Sequence, residues 1–201
     1  MLIRDKFETK AEKSICYSIM KLMETQHFEK ISVTDIVKQA ELGRSTFYLH
    51  YENKYDLIEA IEDKAFYGFI KILEKMRRLG PTEFHKYVSG GFYPLFVEYF
   101  SYIGKNYYEF KLFFSDNYAS GFINRLSRII TKERIKTINT WYKTDISIMN
   151  IYPKEKYYRE EILSSLYTTT FSIWIKNNMD LKEDKMAEIL TNIWRSFVSV
   201  L

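Results

Sequence analysis

The sequence predicts an all-α protein in which a three-helix helix-turn-helix domain precedes a larger helical domain. Three observations carry that reading. In 201 residues there are 7 Gly and 3 Pro, and the long stretches lacking both favour helices over many short strands. Hydrophobic residues make up 46% and charged residues 28%, the balance of a folded globular chain. Apolar residues also recur at helical spacing in one segment after another. With 15 Phe, 17 Tyr and 3 Trp, the core can be large.

The first helix is expected from about Lys6 to Thr25, with Phe7, Ala11, Ile15, Ile19, Leu22 and Met23 as its apolar stripe. The single cysteine, Cys16, falls within this pattern and reads as core rather than redox chemistry. Ser32 with Asp35 three residues later is a capped start for a second helix, about Val33 to Ala40. Gly43 precedes a third, Arg44 to His50, and Asn53 with Asp56 opens a fourth that "LGP" at Leu79 to Pro81 ends near Arg78. Helices at about Tyr93 to Gly104, Tyr107 to Ser115 and Ala119 to Thr144 follow. A loop around Ser147 to Pro153 then leads to helices at Lys156 to Asn178 and Lys182 to Val200. The division that results is 1–53 for the helix-turn-helix domain, 54–80 for a connecting helix, and 81–201 for the remainder.

The second and third helices are too short to be stable alone, since isolated helices under about 12 to 15 residues are marginal in water. Two such helices about a tight turn make a helix-turn-helix, whose second helix enters the DNA major groove while the first braces it. Val33, Ile36, Ala40, Leu42 and Phe47 supply the apolar contacts. The outward residues suit DNA. Arg44 can take a guanine edge or a phosphate, Ser45 and Thr46 offer hydroxyls, and Tyr48, His50 and Lys54 can reach the flanking backbone. Ser32 and Thr34, with free amides at the start of the second helix, are expected at a phosphate.

The stretch "TDIVKQAELGRSTFYLHYENKYDLIEAI" closely resembles the N-terminal region of TetR/AcrR-type transcriptional regulators. Thr34, Ile36, Ala40, Leu42, Thr46, Phe47, Tyr48, His50, Tyr51, Lys54 and Leu57 carry the pattern. The resemblance implies a homodimeric repressor that reads a palindromic operator and is released by an effector bound in its C-terminal domain. Two departures stand out. Glu41 occupies a turn position where Gly is common, with Gly43 where Ser or Thr is frequent, and Leu49 stands where a larger polar or aromatic residue is often found. More loosely, "LYTTTFSIWIKNNMDLKEDKMAEIL" is similar to the dihydroxyacetone-kinase regulator branch, which implies control by a protein partner, or activation, as the alternative.

In the larger domain, Tyr99, Phe100, Phe110, Phe113, Phe114, Phe122, Trp141 and Tyr167 are the residues expected to line a largely apolar effector pocket, with core packing as the other reading. Met186, Ile189, Leu190, Ile193, Trp194 and Phe197 on the last helix form one apolar stripe. Leu163, Leu166, Tyr167, Thr170 and Trp174 on the helix before it form another. Pairing both helices across a two-fold axis predicts a homodimer, with Trp194 and Phe197 as anchors. His27, His50 and His85 are far apart, and no metal-spaced cluster, phosphate-cradling glycine loop or nucleophile elbow is visible. No enzyme, metal or cofactor is therefore expected. The charge of +4 permits an anionic partner without demanding one. No run reaches the length of a membrane span, and the expected location is the cytoplasm.

Overall fold

The computed structural model describes residues 9–118, 121–142 and 153–198, apart from the side chains of 153–157, 160, 197 and 198. Its α-helices are α1 (Lys10–Met23), α2 (Val33–Gln39), α3 (Arg44–Tyr48), α4 (Lys54–Ser89), α5 (Pro94–Lys105), α6 (Tyr107–Phe113), α7 (Phe122–Tyr142), α8 (Pro153–Lys176) and α9 (Glu183–Val198). A 3-10 turn, Phe28–Lys30, precedes α2, and no strand occurs among the described residues. Of the loop expected over Ser147 to Pro153, only Pro153 is described, as the first residue of α8. Phe7 lies outside the described residues.

The chain divides into two compact units. The first unit comprises the residues through Tyr67 together with Lys105–Phe122; the second comprises Gly68–Gly104 and the residues from Ile123 onward. Residues 105–122 are thus grouped with the N-terminal helices.

In the first unit, α1 begins later than its apolar stripe suggests, because Thr9 caps it. The Thr9 amide donates to the Glu12 carboxylate at 2.9 Å, and the Glu12 amide donates back to the Thr9 hydroxyl at 3.1 Å. Ile15, Ile19 and Met23 are fully buried along one face of α1, each contributing about 1.5 to 3 kcal/mol relative to an exposed side chain. Their neighbour Cys16 is buried as expected, and burial pushes its thiol up to about 12. From the α6 region, Phe110, Phe113, Phe114, Tyr118 and Phe122 build a ring cluster that Phe66 of α4 joins by stacking on Phe122 at 5.3 Å. The Asn117 carbonyl accepts the Phe28 amide at 2.8 Å, which ties this segment to the turn before α2.

The second unit is built around Phe69, Phe96, Tyr99, Phe100, Tyr167, Phe171 and Trp174, all buried and in ring contact. A Cβ on Gly68 would sit 2.1 Å from the Tyr102 ring, so the glycine lets that ring lie against α4. Arg77 pairs with the buried Glu133 and reaches Thr137. The break expected at "LGP" is present, with Gly80 at φ 81°, but helix resumes at once and runs to Ser89. Pro81 explains the resumption, since its fixed φ and missing amide suit the first turn of a new helix.

Candidate nucleic-acid interface

The α2 start is capped as its sequence predicts. The Ser32 hydroxyl accepts the Asp35 amide at 3.2 Å and donates to the Asp35 carboxylate at 2.6 Å, while the Ser32 amide donates to that carboxylate at 2.9 Å. These bonds hold the Asp35 carboxyl below its usual value, the side-chain bond from Ser32 contributing most. Ser32, expected at a phosphate, takes part in this cap. Its hydroxyl is engaged, and Asp35 already places a negative charge at this helix end.

At the other end of α2, the Leu42 amide donates to the Val37 carbonyl at 2.9 Å and the Glu41 amide to the Lys38 carbonyl at 3.2 Å. This is the paired pattern that closes a helix through one left-handed residue. That residue is Glu41, with φ 56°. The turn thus keeps the geometry that glycine would adopt freely, with a glutamate in its place. Ser14 of α1 donates to the Ala40 carbonyl at 3.1 Å, bracing the same corner. Gly43 caps α3 in an extended conformation and offers no side-chain acceptor.

α3 turns Phe47 fully inward, edge-on to Tyr48 and beside Tyr51. Its outward face carries Arg44, Ser45, Tyr48 and, just past its end, Leu49, all exposed; Thr46 and His50 are half-buried. The Arg44 guanidinium donates to the Thr34 hydroxyl of α2, so one expected contact residue orients another. Leu49 was not among the expected contacts. It is an aliphatic residue on a helix face that is otherwise polar.

Lys54, expected at the DNA backbone, is also engaged within its own unit. Its ammonium donates to the carbonyls of Phe28 at 3.0 Å, Glu29 at 2.9 Å and Ile31 at 2.9 Å, and lies 4.6 Å from the Phe28 ring centre. All three of its N–H bonds are taken, and the side chain is 14% exposed. Lys54 ties the start of α4 to the turn before α2.

Residues 18–61 match the family model for bacterial regulatory proteins of the tetR family. Through this segment, the chain is similar to the tetR family. The chain is also 35% identical over 69 residues to the HTH-type transcriptional regulator EthR of Mycolicibacterium smegmatis. That match spans 32% of this chain and 32% of the relative, so the chain covers about a third of the length of the curated protein it matches. Across 96% of this chain and 98% of the other, the fold is similar to a solved structure named dihydroxyacetone kinase operon activator DhaS, with a TM-score of 0.56 and 16% identity.

Outside the tetR-family segment, the eight aromatics expected to share one pocket lining are divided. Phe110, Phe113, Phe114 and Phe122 form the ring cluster of the first unit. Tyr99, Phe100 and Tyr167 belong to the core of the second, where Trp141 packs on Phe84 at 5.3 Å and donates to the Arg77 carbonyl at 2.8 Å. In that unit an open groove of about 330 Å³ is lined instead by Arg128, Thr131, Lys132, Ile135 and Glu161.

Among the expected dimer residues, Trp174 is corrected. It is 2% exposed within its own unit, edge-on to Phe100, and donates to the Leu181 carbonyl at 2.9 Å. Leu163, Leu166, Ile189, Ile193 and Trp194 are half-buried, Trp194 lying against Phe84 and Tyr167; the side chain of Phe197 is outside the described residues. The exposed aliphatic residues described on α8 are Ile162 at 57% and Ile173 at 55%, on the face opposite the inward stripe. Among the described residues, no group of His, Cys, Asp or Glu could hold a metal, and no helix is long and apolar enough to cross a membrane.

Proposed function

We propose that this chain is a sequence-specific DNA-binding transcriptional regulator that acts as a homodimer on an inverted-repeat operator. The observation that carries this reading is α3: a five-residue helix, braced by α2 and anchored by Phe47, that leaves Arg44, Ser45, Tyr48 and Leu49 facing outward. A two-fold dimer of such units reads two half-sites about 34 to 36 Å apart, or a multiple of that spacing. The apolar outer face of α8, with Ile162 and Ile173, supplies a surface for a second copy. The regulator is a repressor, released when a small, largely apolar effector occupies the C-terminal domain.

The test is selection of duplexes from a random pool by the full chain at low salt. Enrichment of inverted repeats is expected; binding without sequence preference would reject the reading. A second reading, control by a protein partner with activation as output, is favoured by the tight ring packing of the expected pocket residues. The solved structure of similar fold is also named an activator. The two readings separate on whether metabolites alone change operator affinity.

A further inference from the structure

We infer that Leu49 reads DNA bases directly, selecting thymine by its C5 methyl group at one position in each half of a symmetric site. The inference rests on the DNA-binding reading above. Leu49 directly follows α3 and is 81% exposed, the most exposed large apolar side chain among the described residues. The other aliphatic residues of the helix pair turn inward: Ile36, Val37 and Ala40 are buried, Val33 and Leu42 half-buried. A leucine left in water forgoes the gain that burial would bring. Its backbone part in ending α3, an amide bond to the Ser45 carbonyl at 3.1 Å, could be played by any residue but proline. A single exposed leucine is ordinary on most surfaces. This one is the aliphatic point on a face whose other members, Arg44, Ser45 and Tyr48, all carry hydrogen-bonding groups.

The chemistry of the groove narrows what such a point can meet. Leucine has neither donor nor acceptor, and the apolar group that base edges present in the major groove is the thymine methyl. Packed against the amino group of cytosine or adenine, the side chain would strip water from a donor and return nothing. Packed against the methyl, it buries apolar surface on both sides. Arg44, held by Thr34, stands at the opposite end of α3. Five residues at about 1.5 Å per residue and base pairs about 3.4 Å apart place the thymine about two base pairs from the one nearest Arg44.

The experiment uses the full chain and the duplex it selects from a random pool, with each thymine of a half-site replaced in turn by deoxyuridine. That replacement deletes the methyl and leaves every hydrogen-bonding group in place. At one position per half-site, affinity should fall about fourfold, and about fifteenfold with both halves substituted, the worth of one buried methyl each time. Leu49→Ala should bind the thymine and uracil duplexes equally at that position. If uracil weakens the native chain nowhere, or if Leu49→Ala keeps the preference for thymine, the assignment is overturned. Absence of any sequence-preferring duplex binding would remove the DNA-binding reading as well, whereas a selected site indifferent to the methyl removes Leu49 alone.

Discussion

The Lys54 ammonium has three N–H bonds, and the backbone oxygens of Phe28, Glu29 and Ile31 take all of them. Nothing local in the sequence announces this, because the acceptors lie 23 to 26 residues earlier and become neighbours only when α4 docks on the turn before α2. Arg44 was legible as an outward residue from helix periodicity, but its bond to Thr34 was not, for the same reason. The two cations therefore predict different phenotypes. Lys54→Met should cost about 2 to 3 kcal/mol of stability, since charged hydrogen bonds to partly buried carbonyls are lost, and should leave the salt dependence of DNA binding unchanged. Arg44→Ala should leave stability nearly unchanged and cost about 1 to 3 kcal/mol of operator affinity where it reads a base. Urea melts and binding isotherms at several salt concentrations separate the two; a flattened salt slope for Lys54→Met would restore it as a phosphate contact.

Elements set by short-range chemistry were the ones the sequence announced. Ser32 with Asp35 and Asn53 with Asp56 mark the starts of α2 and α4, because each cap is a bond within three residues: the Asn53 side chain accepts the amides of Tyr55 at 2.8 Å and Asp56 at 3.1 Å. The turn between α2 and α3 also kept its form although Glu41 replaces the common glycine, and the glutamate pays for this with φ 56°. Left-handed backbone costs a non-glycine residue about 1 to 2 kcal/mol, and glycine loses about 0.5 to 1 kcal/mol more chain entropy on folding. Glu41→Gly should therefore raise stability by about 0.5 to 1 kcal/mol in thermal or urea unfolding, and a decrease would show that the Glu41 side chain contributes more than the strain. α8 was less legible. Residues 162–175 carry no charge, so neither face stands out as the solvated one, and the stripe read as an interface faces the subunit's own core at Tyr167, Thr170 and Trp174.

For the whole molecule, the buried hydroxyls and thiol point in one direction with pH. Burial pushes Cys16 up to about 12 and raises Tyr51, Tyr93, Tyr99 and Tyr167, so each stays protonated in the folded chain at a pH where the unfolded chain has lost its proton. Their contribution is complete below the unfolded values near 9 to 10 and is lost as pH rises through the folded ones, at up to about 1.4 kcal/mol per pH unit for each group. Melting temperature should be flat from pH 6 to about 8 and fall steeply above about 9.5; Tyr93→Phe, which removes a buried hydroxyl without a partner, should soften that fall at little cost at neutral pH. The proposed assembly uses the other face of α8. Ile162 and Ile173 lie eleven residues apart, three helical turns, with exposed Ser165 and Thr169 between them, an uncharged stripe whose small residues permit close approach of a second helix. In a two-fold interface each residue is used twice, so one substitution places two changes at the contact. Ile162→Glu and Ile173→Glu should each put two carboxylates into an apolar seam without partners, at a cost of several kcal/mol, while leaving the inward face and the fold of the subunit intact. Sedimentation at micromolar concentration should show the native chain as a dimer and the double variant as a folded monomer with weakened operator binding. A double variant that remains dimeric would place the interface elsewhere, and a monomeric native chain would remove it altogether.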